Sequence, residues 1–263
     1  MRLKEAFFSD KKRWISGVLL TLVTAGVVFS TIPLLVYAYF GVALLVAVYE
    51  VARFGGVQKS PYLYIIVALI WIGAYFYPSS ALELPILALL FTVLPFMLGI
   101  SKFKTISLIL FYPTLSFLAV ISLYSMYDKG AWLLFMLFAT VAFTDMGAYF
   151  GGRSFGKRKL ALSISPGKTI EGALVGALCG SVVGFVITIL ALGSEFGYVE
   201  AIILSVSVAV FSIIGDLFES FLKRSVGKKD SGAIFPGHGG MLDRVDGVLF
   251  SAVAMYFILK VLS

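Results

Sequence analysis

The chain has 263 residues, of which 60% are hydrophobic and 13% charged, and its mean hydropathy is +1.02. A soluble domain has about 45–50% apolar and about 25% charged residues, so the composition excludes a soluble globular fold and indicates an integral membrane protein. The formal net charge of +7 is clustered beside apolar runs, which argues for membrane topology and phosphate ligands and against nucleic acid as a partner.

In chain order, residues 1–13 form a short basic, amphipathic start suited to an interfacial helix. An uncleaved first span follows it. Apolar segments long enough to cross about 30 Å of hydrocarbon then recur near 15–31, 33–50, 62–77, 83–100, 105–126, 131–150, 172–193, 198–222 and 246–262. This predicts an all-α, polytopic integral membrane protein of about nine transmembrane helices, forming a single membrane-embedded domain over 1–263. Residues 1–130 read as helices of scaffold or lipid-facing type, and 131–263 as the half that carries chemistry, with long basic loops at 151–171 and 223–245. With the N-terminus in the cytoplasm, 19 of the 21 basic residues fall on the cytoplasmic side and only Lys129 and Lys260 outside. That separation predicts an external C-terminus and puts both long loops where soluble nucleotides are. Cys179 is the single cysteine, in an apolar stretch, so an intrachain disulfide is excluded and a small buried hydrophobe is expected. Glu50 and Glu83 end the second and fourth spans, where a solvated interface position is expected.

Residues 216–246, DLFESFLKRSVGKKDSGAIFPGHGGMLDRVD, concentrate the polar chemistry of an otherwise oily chain. Asp216, Asp243 and Asp246 can bind a hard cation, while Lys223, Arg224, Lys228, Lys229, Arg244 and His238 can bind phosphates. Glycines between them let backbone approach a ligand. This is the inventory of a site for a metal-bound polyphosphate. Asp216 lies seven residues before Lys223, about 10 Å into its span, and Glu219 and Ser220 extend its polar face. If the last helix begins near Asp243 and Asp246, the two share one face at its N-terminus, where unpaired N–H groups favour anions.

Ser220, Lys223-Arg224, Lys229-Asp230, His238-Gly239-Gly240, Asp243-Arg244 and Asp246, at these gaps, resemble the signature of the phosphatidate cytidylyltransferase (CDP-diacylglycerol synthase) family. A second stretch, 144–172, is similar to the same family through Asp145, Gly147, Gly152, Arg153, Gly156, Lys157, Ser165, Pro166, Lys168, Thr169, Glu171 and Gly172. Met146 and Gly167 depart from the family's commonest form, where Thr and Lys are frequent. The run GGRSFGK (151–157) is a false P-loop, because Arg158 follows it and a membrane helix, not a strand, precedes it.

The resemblance implies a Mg²⁺-dependent enzyme, with room for a second cation, that joins CTP to phosphatidic acid and releases pyrophosphate. It also implies a homodimer in the cell (inner) membrane. The metal would be held by Asp216, Asp243 and Asp246, with Lys223 and Arg224 beside them in catalysis. Lys168, Arg153, Lys229, Arg244 and His238 would hold substrate phosphates, with Asp145, Glu171, Glu219 and Ser220 as further polar candidates. A lipid phosphate is already an anionic nucleophile, so positioning and charge neutralisation suffice without a strong base. The rival reading is a CTP-dependent lipid kinase of polyprenol type, which needs a base such as Asp145 or Glu171. An anion transporter is disfavoured because no inverted repeat is visible and the acids gather at one membrane face. Gly172, Gly176, Gly180 and Gly184 recur every fourth residue, a ridge for close helix packing within the chain or against a second subunit.

Overall fold

The computed structural model describes residues 17–78, 81–82, 86, 101–126, 128–234 and 239–262. The start at 1–13, nearly all of the span expected at 83–100, Glu83 and His238 lie outside the described residues.

Helices dominate, as the apolar runs require, because only internal backbone pairing satisfies N–H and C=O groups in lipid. They are α1 (Gly17–Val28), α2 (Pro33–Phe54), α3 (Pro61–Phe76) and α4, in which Ser101–Ile109 and Leu115–Met126 are joined by a π turn at Leu110–Thr114. After them come α5 (Gly130–Phe155), α6 (Ile170–Leu192), α7 (Tyr198–Ser225) and α8 (Leu242–Leu262). Among the described residues six stretches are long and apolar enough to cross a bilayer: Pro33–Phe54, Lys104–Met126, Gly130–Phe155, Ile170–Leu192, Tyr198–Ser225 and Leu242–Leu262. The chain is a multi-pass membrane protein. Gly17–Val28 and Pro61–Phe76 are apolar but shorter.

Local chemistry explains the boundaries. Pro33 and Pro61 open α2 and α3, where the missing N–H has no helical partner to lose. Pro113 lies inside α4, and the π turn accommodates it: Leu115 N–H reaches back to Leu110 C=O. Thr169 caps α6, its hydroxyl accepting from Gly172 N–H at 3.1 Å.

Two expected loop boundaries shift. The Gly-Gly-Arg-Ser-Phe run at 151–155 continues α5 instead of opening a loop at 151. A Cβ on Gly151 would meet Val175 of α6, so close packing holds this glycine-rich turn helical. Asp145 is therefore ten residues from the end of α5, about 15 Å along the axis, deeper than its distance from Gly151 suggested. The remaining linker folds into an antiparallel hairpin, β1 (Lys159–Ala161) with β2 (Ser165–Thr169), pairing Lys159 with Thr169 and Ala161 with Ser165. The second loop shortens similarly, because α7 runs to Ser225 and α8 begins at Leu242.

The glycine ridge of α6 is used up inside the chain. Cβ atoms on Gly172, Gly176 and Gly180 would collide with Ala148 and Thr144 of α5, and one on Gly184 with Thr140 and Ser205. Cys179 is a half-buried free thiol beside Gly147. At one end of the bundle Lys129 ties α5 to α6, donating to Ala191 C=O at 3.0 Å and to Ser194 Oγ at 2.8 Å. At the other end meet the C-termini of α2, α5 and α7, the N-termini of α6 and α8, and the hairpin; the polar residues gather there.

Candidate active site

The inner half of α7 supplies the centre. Asp216, Glu219, Ser220 and Lys223 are spaced at three and four residues, so they share a helix face. Glu219 is fully buried, and Lys223 forms ion pairs with it and with Asp243 Oδ1, the latter at 2.7 Å. Glu219 Oε1 has no hydrogen-bond partner among the described residues. Ser220 is half-buried beside it. Asp216 is half-buried and paired with Lys168, which β2 carries in from the hairpin.

Helices α7 and α8 approach each other at Gly215, where a Cβ would lie 2.5 Å from the Asp246 carbonyl oxygen. That close approach sets Asp246 beside Asp216. The Asp246 side chain accepts the Gly247 N–H at 2.8 Å. It lies within electrostatic reach of Asp216, Glu219 and Asp145. Asp145 in turn feels Asp216, Lys168 and Arg244. Five acids, Asp145, Asp216, Glu219, Asp243 and Asp246, thus interact with three cations, Lys168, Lys223 and Arg244.

Asp243 is committed elsewhere. Its Oδ2 accepts from Ser231 N–H at 2.9 Å and Gly240 N–H at 2.7 Å and lies 2.8 Å from Ser231 Oγ, while Oδ1 takes Lys223. Asp243 thus ties Ser231 and Gly240 to the first turn of α8 and orients Lys223.

Glu50 is the residue that sequence reasoning missed. Instead of a solvated interface position it is buried, at 1% exposure. Its carboxylate accepts from Met241 N–H at 2.8 Å, Leu242 N–H at 2.9 Å and Ser231 Oγ at 2.8 Å. It caps the start of α8, where free N–H groups favour a negative charge. Cβ atoms at Gly232 and Gly240 would strike Glu50 Oε1, so both glycines make room for it. The one available signal was a lone acid within an apolar span.

Other candidates sit around this centre. Arg224 donates to Ile164 C=O at 3.3 Å and to Lys228 C=O at 3.1 Å, tying the hairpin to the second loop. Glu171 accepts from Lys157 and Arg158 N–H at 3.0 and 3.1 Å and pairs with Arg158 Nε at 2.9 Å. Arg153 is exposed and contacts Tyr149 Oη at 3.3 Å; Lys229 and Arg244 are exposed. Glycines 151 and 152 being helical, GGRSFGK cannot cradle a phosphate as a P-loop does.

Residues 11–262 match the sequence pattern of the Cytidylyltransferase family. The chain belongs to this family. It is 37% identical over 259 residues to a phosphatidate cytidylyltransferase of Helicobacter pylori, a match covering 98% of this chain and 94% of that one. Identity is 38% over 183 residues to a phosphatidate cytidylyltransferase of Haemophilus influenzae, covering 65% of this chain and 58% of that one. It is 39% over 158 residues to a phosphatidate cytidylyltransferase of Bacillus subtilis, covering 60% and 58%.

For a cytidylyltransferase-family chain the question is whether these side chains suit a divalent ion. Among the described residues no three His, Cys, Asp or Glu side chains are close enough together to enclose one. Mg²⁺ bound with a nucleotide does not need such a cage: one or two carboxylates, substrate phosphates and water complete its octahedron. Asp216 and Asp246, on adjacent helices in a cluster with more acids than cations, fit that role. Asp243, the third carboxylate expected, takes Lys223 on Oδ1 and two backbone N–H groups on Oδ2.

Proposed function

We propose that this cytidylyltransferase-family chain transfers the cytidylyl group of CTP to phosphatidic acid, forming CDP-diacylglycerol and pyrophosphate. The observation that carries this reading is the relationship to a phosphatidate cytidylyltransferase over 98% of the chain. The acid-and-lysine cluster supports it, because its chemistry is what an in-line attack on a triphosphate requires. An oxygen of the lipid phosphate attacks the α-phosphorus of CTP. The bond from that phosphorus to the bridging oxygen breaks, and pyrophosphate leaves with the electron pair.

Asp216 and Asp246 would hold Mg²⁺, which would supply charge neutralisation to the triphosphate. Lys223, held by Glu219 and Asp243, presents a fixed ammonium to the departing pyrophosphate. Lys168, paired with Asp216, would turn to a substrate phosphate. Arg244 adds charge beside Asp145. Arg153 and Lys229, exposed at the same end, draw anions toward the site. The polar end faces the cytoplasm of the inner membrane by the positive-inside rule, since the basic residues from Arg153 to Lys168 and from Lys223 to Lys229 gather there. A homodimer needs faces other than the glycine ridge, which α5 already occupies.

The lipid kinase reading is not favoured: the relatives are transferases of the cytidylyl group by name, and Glu171, one of the two bases available to a kinase, is bound on both oxygens. The test is purified protein with labelled CTP, phosphatidic acid and Mg²⁺. A CDP-lipid with pyrophosphate supports the reading; CDP with a phosphorylated lipid overturns it.

A further inference from the structure

Tyr112 belongs to the N-terminal half, yet it ends up beside the acid cluster. It lies in the π turn of α4, an irregularity that often marks functional positions. Its side chain is completely buried. Its ring packs edge-on against Phe218 of α7 at 5.1 Å and tilted against Phe250 of α8 at 5.9 Å, and those two rings are 4.9 Å apart. Phe218 lies between Asp216 and Glu219 in sequence, and Phe250 is one turn beyond Asp246. The three rings therefore pack together between the helix turns that carry the carboxylates and α4.

The phenol oxygen has no hydrogen-bond partner among the described residues. A buried hydroxyl is nearly always paired, and leaving one unmade costs about 1–3 kcal/mol. The charges it senses are Asp246, Glu219, Asp216 and Asp243. Packing alone would be served by Phe, as at 218 and 250. The hydroxyl therefore calls for a partner that the described residues do not supply.

We infer that Tyr112 is a positioning residue whose hydroxyl donates to an oxygen held at the Asp216–Asp246 pair, either a water of the bound cation or a phosphate oxygen of the nucleotide. The inference rests on the cation reading given above. The donor fixes the orientation of that oxygen. Contacts of this outer kind are worth about 10–100-fold in metal affinity or activity.

The test compares the full-length protein with Tyr112→Phe, which keeps the ring contacts. Binding of Mn²⁺, an electron-spin-resonance-visible stand-in for Mg²⁺, is titrated with and without CTP, and thermal unfolding is measured without metal. The expected result is a metal-free protein at least as stable as the parent, because an unpaired buried hydroxyl is gone, with Mn²⁺ affinity weakened about tenfold or more. Weakening in both titrations identifies a water of the cation; weakening only with CTP identifies a phosphate oxygen. Equal affinities in both titrations overturn the inference. A parent protein that binds no Mn²⁺ in either titration removes the cation reading beneath it, which separates the two failures.

Discussion

Ser231 Oγ donates to Glu50 Oε2 at 2.8 Å, across 181 residues of sequence. The same hydroxyl lies 2.8 Å from Asp243 Oδ2. One serine thus joins the end of α2 to the first turn of α8, and through Asp243 to Lys223 and Glu219. The N-terminal half is more than scaffold, because one of its carboxylates holds the loop on which the charged centre depends.

Glu50→Gln tests that dependence. The amide nitrogen cannot accept, so at least one of Met241 N–H, Leu242 N–H and Ser231 Oγ loses its acceptor in a buried place. A cost of about 1–3 kcal/mol follows, together with reduced CTP turnover. Thermal unfolding in detergent and cleavage of the 226–241 loop by protease measure it. A variant with parental stability and intact loop protection contradicts the anchoring role.

Asp216 and Asp243 separate when each is changed to Asn. Asp216 makes a half-buried pair with Lys168 but also faces the like charges of Asp145 and Asp246, so removing its charge relieves repulsion and Asp216→Asn keeps its unfolding temperature. Its turnover falls about 100-fold or more, the scale for losing a charge-stabilising group at a reaction centre. Asp243→Asn lowers the unfolding temperature as well, because Oδ2 accepts the backbone N–H groups of both Ser231 and Gly240. Calorimetry and product assay on the same preparations compare them; equal stability loss in both variants contradicts the division of roles.

Gly180→Leu puts a side chain where a Cβ already collides with Thr144 of α5. Overpacking there costs about 1–3 kcal/mol. Leu178→Ala, at an exposed position of the same helix, stays within about 0.5 kcal/mol. Unfolding curves for the pair measure whether the ridge is an internal contact.

Chelation of divalent ions abolishes turnover, and Mg²⁺ restores it. Ca²⁺ restores little, since it prefers six to eight oxygens in a looser shell while two aspartates and a triphosphate suit a tight octahedron. Undiminished turnover in excess chelator contradicts the cation reading.

Membrane character, the placement of the later helices and the two charged stretches were readable because they are local. A run of apolar residues of bilayer length has one stable outcome in lipid, and motif spacing survives folding unchanged. Composition misled at 151–155, where glycines suggest a loop; packing of Gly151 against Val175 keeps the segment helical. The roles of the acids were not readable in the same way. Asp216, Asp243 and Asp246 look equivalent in a sequence, and only hydrogen-bond partners tell them apart.

The sequence by itself determined that this is a multi-pass membrane protein carrying a phosphate-handling signature, since hydropathy and spacing are properties of neighbouring residues. The tertiary structure decided that Glu50 anchors α8, that Asp243 ties Ser231 and Gly240 to it, and that Tyr112 lies beside the acid cluster. Each of these depends on which helices meet. Helix contacts in a membrane follow from shape, from the glycine ridge of α6 and the close approach at Gly215, and shape emerges only when distant segments are brought together.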